Sequence, residues 1–154
     1  MSKPNRGKDF EKRIFEAFNK LEDVSIDRIP DQMSGYTGSK NVSDFIMYAY
    51  PYQYYIECKA FYGNTINFDR IPQLDDLCNK DAIQGVSAGC MLWFIDHDIT
   101  VWIRSGILKS WKEAGNKSVN IKAVKNNKIA YMFIKGDKKR VFFDYDMKPF
   151  LGRW

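Results

Sequence analysis

Helical and strand patterns alternate along this chain, and their order narrows the fold more than any other feature. Phe10, Ile14, Ala17, Phe18 and Leu21 recur at helical spacing and leave Glu11, Lys12, Arg13 and Glu16 elsewhere on the surface. That spacing predicts an amphipathic helix over Asp9–Leu21. Val24–Ile29 is a short strand candidate, and Pro30–Ser43, with Gly35 and Gly38, has the composition of a mobile loop. Asp44–Tyr50 and Tyr54–Ala60 are rich in aromatic and β-favouring residues and read as a hairpin turned at Pro51. Asp69–Val86 reads as a second helix carrying Ile71, Leu74, Leu77, Cys78 and Ile83. Two strongly apolar segments, Cys90–Ile95 and Ile99–Arg104, flank the turn Asp96-His97-Asp98. Ile107–Ala114 looks like a short helix, and Val119–Val124, Ile129–Ile134 and Val141–Tyr145 are lysine-decorated strand candidates. Helix, strands, helix, strands is the pattern of the mixed α/β class. With 154 residues, 45% of them apolar, the chain suits a single domain with a real core and not a disordered one.

Several function classes drop out on composition. No apolar run approaches the roughly 20 residues of a membrane span, and MSKPNRGKDF lacks the apolar centre of a signal peptide. Three cysteines, Cys58, Cys78 and Cys90, are an odd number without a CxxC pair, which argues against a disulfide framework or a zinc site. A reducing cytoplasm is the expected location. The charge is uneven: the first 103 residues carry 11 basic and 15 acidic side chains, the last 51 carry 13 and 4. A basic half beside an acidic half suggests a polyanion held near a carboxylate cluster, or else a solvated lysine-rich face.

The pattern that carries chemistry is Asp44 followed by Glu57-Cys58-Lys59. Tyr55, Glu57 and Lys59 alternate onto one face of their strand, Ile56 and Cys58 onto the other. Pairing the two strands can bring both carboxylates together and aim the lysine at the same spot. Two close carboxylates repel unless a cation sits between them, and oxygen-only ligands favour Mg²⁺, with Mn²⁺ as substitute. Such a site suits phosphodiester hydrolysis. The competing reading is an ordinary strand ion pair between Glu57 and Lys59. Against it, Glu57 lies in an otherwise apolar and aromatic strand, where an unpaired carboxylate is costly. His97, in its turn, reads as a surface residue.

These residues resemble the PD-(D/E)XK nuclease superfamily, whose core is Asp, a spacer, then Glu-x-Lys. Around them stand Gly7-Lys8-Asp9-Phe10-Glu11 leading into the first helix, Ser43-Asp44-Phe45, Ile56–Ala60, Thr65–Phe68, Gln73, the small-residue run Gly85–Gly89 taken as a turn, Trp111, Ser118-Val119 and Asp144-Tyr145-Asp146. Over most of its length the chain looks like the RecU-type Holliday-junction resolvases of Gram-positive bacteria and their phages. The resemblance implies a restriction-endonuclease-like mixed central β-sheet flanked by helices in one domain. It implies a homodimeric, Mg²⁺-dependent endonuclease that resolves four-way DNA junctions and leaves a 5′ phosphate. Asp44, Glu57, the backbone carbonyl of Cys58 and Gln73 would hold the metal, Lys59 would stabilise the transition state, and Glu11 would complete the acidic cluster. Glu11 is otherwise a first-turn acid favoured by the helix dipole, and Gln73 an exposed helix glutamine.

Two departures from that family stand out. Only Ser43 of the two residues before Asp44 keeps a hydroxyl, and Asp27–Ser43 is short for a stalk, with Arg28 and Lys40 its only bases. A nuclease for flaps, ends or nicked duplex, and a non-catalytic DNA-binding accessory protein, are the alternatives. DNA contacts are expected from Arg6, Lys8, Lys12, Arg13, Lys40, Lys125, Lys138, Lys139 and Arg140, with Tyr36 stacking on an unpaired base. The aromatic run Tyr48–Tyr55 and Phe61-Tyr62 offers a dimer surface, with core packing as its default role.

Overall fold

Two hydrophobic clusters lie on opposite faces of one sheet, and the order of apolar segments in the chain explains both. The structure, a computed structural model, describes residues 2–30 and 41–151. Helix α1 (Gly7–Asn19) buries Phe10, Ile14, Ala17 and Phe18, the stripe its spacing predicts. It packs on Met47, Ile56, Cys58 and Trp93. The sheet strands are β1 (Val24–Arg28), β2 (Phe45–Ala49), β3 (Tyr52–Phe61), β5 (Val86–Phe94), β6 (Ile99–Arg104) and β8 (Met132–Phe133). They lie in the order β1-β2-β3-β5-β6-β8. Only β3 and β5 run parallel; the other neighbours are antiparallel. The connection between β3 and β5 carries β4 (Thr65–Asn67) and α2 (Leu74–Asp81). On the second face, Leu74 and Leu77 of α2 and Leu108 of α3 (Ser105–Glu113) meet Ala88, Cys90, Leu92 and Ile103. β7 (Ser118–Asn120) pairs with β4, and α4 (Ile121–Lys125) follows. A ribbon of β9 (Gly136–Lys138) and β10 (Phe143–Tyr145) returns to the α1 side, and α5 (Lys148–Leu151) closes the described chain.

The mixed α/β class and a mixed central sheet flanked by helices are as expected, and the sheet has six strands. No helix of the described residues is long and apolar enough to cross a membrane. Covered on both faces, β5 is buried from Ser87 to Phe94. Gly89 is required there: a Cβ would lie 2.4 Å from the Ile103 carbonyl oxygen of β6.

The structure corrects several element readings. The helix expected over Asp69–Val86 is a short turn, Phe68–Arg70, and then only Leu74–Asp81, because Pro72 supplies no N–H for a continuous helix. Of Gly85–Gly89, only Gly85 turns (φ +84), and the rest is strand. Val119–Val124 is not one strand: Asn120 accepts the Lys122 N–H at 2.8 Å and starts α4. Of Ile129–Ile134, only Met132 and Phe133 pair with the sheet. The stretch taken as a loop from Asp27 begins later, since Asp27 and Arg28 belong to β1 and Ile29 donates its N–H to the Asp44 carbonyl.

Candidate active site

Asp44 sits at the mouth of β2, and its backbone is held from two sides. Its carbonyl accepts from Ile29 at 2.8 Å and its N–H donates to the Ile56 carbonyl at 3.1 Å. Phe45 also pairs with Ile56, so Asp44 and Phe45 both oppose one residue, the two-against-one pairing of a β-bulge. Bulges re-aim side chains next to active sites. The buried Ser43 hydroxyl donates to the Phe45 carbonyl at 2.8 Å and ties down the same bend.

The bulge turns the Asp44 carboxylate onto β3. Its Oδ2 accepts the Cys58 N–H at 2.8 Å, and its carboxyl is within hydrogen-bonding reach of Glu57. Strand geometry turns the Cys58 carbonyl to the same side as its N–H. Glu57 is 2% exposed. The Lys59 ammonium lies 3.9 Å from Glu57 Oε2 and is partly open to solvent. Burial pushes the Glu57 carboxyl far above its ordinary range, Asp44 adds to the rise through hydrogen bond and charge, Lys59 opposes it, and Glu11 adds a little. The buried thiols of Cys58 and Cys90, the latter paired with Glu57 across the ladder, are pushed up by burial and stay protonated. They are poor nucleophiles and poor ligands in that form.

Two acids set this close form a place where a cation is favoured over the empty pair. Gln73 is the N-cap of α2, not an interior helix residue, and α2 lies on the face of the sheet opposite α1. Its Oε1 is buried without a hydrogen-bond partner among the described residues. The two carboxylates and the strand carbonyl are hard donors, and they fit Mg²⁺; the orphaned Gln73 oxygen is of the same chemistry, with no contact joining it to them among the described residues. Among the described residues no three His, Cys, Asp or Glu side chains converge as a metal cage. The fit is therefore to an ion that keeps part of its water. Glu11 is engaged by Arg28 at 3.5 Å and Lys8 at 3.8 Å, and so reaches Glu57 only through its field.

The expected DNA-contact residues do not form one surface. Arg6 and Arg13 flank the Phe142 ring, and Lys139 and Arg140 sit on the ribbon turn beside it. Lys12 pairs with Glu16 at 4.0 Å, and Lys138 with Asp98 at 2.9 Å. Lys125 lies on α4, which packs on the other face of the sheet. Tyr36 and Lys40 lie outside the described residues. Tyr54 and Phe61 are core, whereas Tyr48 and Tyr50 are exposed at 48% and 85%. Sequence reading missed the Arg28 clasp on Glu11 and the role of Phe142, both long-range contacts with no local spacing to betray them.

No protein-family model matches the chain, and the search of curated proteins finds no significant match.

Proposed function

We propose that this chain is a metal-dependent DNA endonuclease of the PD-(D/E)XK kind, acting on four-way junctions as a homodimer. One observation carries the nuclease reading: the half-buried Asp44 is set against the buried Glu57, with the Lys59 ammonium 3.9 Å from the latter. A structural ion pair would need one acid; the second acid is an expense unless it serves a cation. Junction preference and the dimer come from the sequence resemblance, and two symmetric cuts in a near-two-fold substrate suit two equivalent sites.

Asp44, Glu57, the Cys58 carbonyl and Gln73 would hold Mg²⁺, which when bound supplies charge neutralisation at a phosphoryl oxygen and a more acidic water. Asp44 is presented by a backbone fixed on both sides, so its carboxylate needs little reorganisation. Glu57 must give up its proton before it can serve as a ligand. Lys59 directs its ammonium at the extra negative charge of the pentacovalent phosphate and orients the attacking water. Water oxygen bonds to phosphorus, the P–O3′ bond breaks, and the 3′ oxygen leaves with a proton.

The test is cleavage of a synthetic mobile junction in Mg²⁺ beside linear duplex, flap and single-stranded DNA, with Asp44→Asn and Lys59→Ala as controls. Metal-dependent cutting of the junction, absent in both variants, is the expected result. Cutting of flaps or ends alone leaves the nuclease and removes the resolvase. Junction binding that survives both substitutions, with no cutting by the unaltered chain, makes this an accessory binding protein.

A further inference from the structure

The two flanks of α1 serve different partners. Helical spacing puts Glu11 on one side of the buried Phe10–Ile14–Ala17 stripe, toward Arg28, and Arg6 and Arg13 on the other. Arg6 and Arg13 are seven residues apart, two helical turns, so they point the same way. Both guanidinium carbons stand over the Phe142 ring, at 5.5 and 5.4 Å from its centre. Phe142 is itself braced by Trp93, ring centres 5.6 Å apart. The turn that carries it is closed by the Lys139 N–H on the Phe142 carbonyl at 2.8 Å, which holds exposed Lys139 and Arg140 at the same place.

Two guanidinium groups thus meet on one aromatic ring, and the turn that carries the ring adds two exposed cationic residues. Neither Arg6 nor Arg13 has a carboxylate at ion-pair distance among the described residues, although the nearby lysines Lys8, Lys12 and Lys138 all do. Arg6 Nε is buried and has no hydrogen-bond acceptor among them. The ring holds both guanidinium groups by cation–π attraction, which leaves their N–H forks and the desolvated Arg6 Nε to be satisfied by an anion. The anion has to span two guanidinium forks and a lysine-rich turn, which fits successive phosphates of a nucleic-acid strand.

The cluster stands at the same end of β3 as Lys59 but on the α1 face: Trp93 pairs with Ala60, one residue beyond Lys59, and both pack on the side opposite Leu92, the partner of Lys59. The segment before α1 is tied to the same end of β3, with the Tyr62 hydroxyl on the Pro4 carbonyl at 2.7 Å and the Lys3 ammonium over the Tyr62 ring. We propose that Arg6, Arg13, Lys139 and Arg140, organised by Phe142, form a backbone-phosphate clamp at the Lys59 end of β3, gripping a DNA strand that passes this end of the sheet on the α1 face, opposite the side chains of Glu57 and Lys59. The clamp rests on the nuclease reading for the identity of its ligand, but it makes no part of the chemistry.

The test is binding of a fluorescein-labelled four-way junction and a matched duplex, with Ca²⁺ replacing Mg²⁺ so that no cutting intervenes, over a series of salt concentrations. Replacing Arg6→Gln with Arg13→Gln should weaken both complexes at least ~10-fold and lower the salt slope by about two, one per lost phosphate contact. Arg140→Gln, on an exposed turn where folding is not at stake, should lower the slope by about one. Phe142→Leu keeps every charge and should weaken binding to an intermediate degree. Unchanged affinity and slope in both arginine variants, or no DNA binding by the unaltered chain, overturns the clamp. A chain that cuts junctions with those variants binding normally loses the clamp and keeps the nuclease. A chain that never cuts yet binds through these arginines loses the nuclease and keeps the clamp.

Discussion

Glu57 and Asp81 are both acids drawn into the interior, and they are treated in opposite ways. Asp81, at the end of α2, gathers three donors on one oxygen. Its Oδ1 takes the Ala88 N–H at 2.9 Å and the Arg104 Nε and Nη2 at 3.0 and 2.9 Å. That carboxylate ties α2 to the starts of β5 and α3 and is a fastener. Glu57 is more deeply buried and worse served: its close neighbour is another acid and its cation stands back at 3.9 Å. A well-served carboxylate such as Asp81 builds the fold, and the deficit at Glu57 is what the proposed chemistry requires.

The contrast can be broken by experiment. The largest effects belong to the deficient site. Asp44→Asn and Lys59→Ala should each reduce junction cleavage by about 10²–10³-fold, the size seen when one transition-state donor is removed, while thermal unfolding shows no loss of stability. Equal destabilisation of the fold would make this site a second fastener. Next, Asp81→Ala should cost about 2–3 kcal/mol in denaturant unfolding by removing two Arg104 hydrogen bonds and the acceptor of the Ala88 N–H, and the residual folded protein should still cut.

Mg²⁺ should then raise the unfolding free energy of the unaltered chain by about 1.4 kcal/mol at ten times its Kd, and do nothing for Asp44→Asn. The signal spread over the widest range of conditions is in pH. Glu57 is pushed from its ordinary 4.5 to about 9, so between those values the folded state holds a proton that the unfolded state releases. Metal-free stability is therefore full below pH 4.5 and declines as pH rises toward 9, at no more than about 1.4 kcal/mol per unit. Glu57→Gln should flatten that decline, and a flat profile in the unaltered chain would show that the two acids do not share a proton. Because the cation replaces the proton, Mg²⁺ should bind more tightly as pH rises.

How far the sequence shows this depends on the range of each interaction. The α1 stripe and the Glu57-x-Lys59 alternation are local patterns, and both appear in the structure as read. Asp44 reaches Glu57 by a route that alternation alone does not contain, because the bulge breaks the pleat at the residue that matters. Ile121–Lys125 fits strand and helix periods equally over five residues, and the Asn120 cap decides. The Asp81–Arg104 pair and the Arg6–Phe142–Arg13 stack join residues far apart in the chain, so no spacing rule finds them. The excess of positive charge near the C-terminus is visible in composition, but the chain spends it on two faces of the sheet.

The double anchorage of Asp44 also separates two kinds of evolutionary freedom. Ile29 and Ile56 hold its main chain from either side, so the connection between β1 and β2 can lengthen, shorten or change composition without shifting the carboxylate. A lineage could remodel which DNA shapes are admitted there while leaving the hydrolytic centre as it is. The short connection of this chain is then one setting of an adjustable part, mounted on a frame that does not move with it.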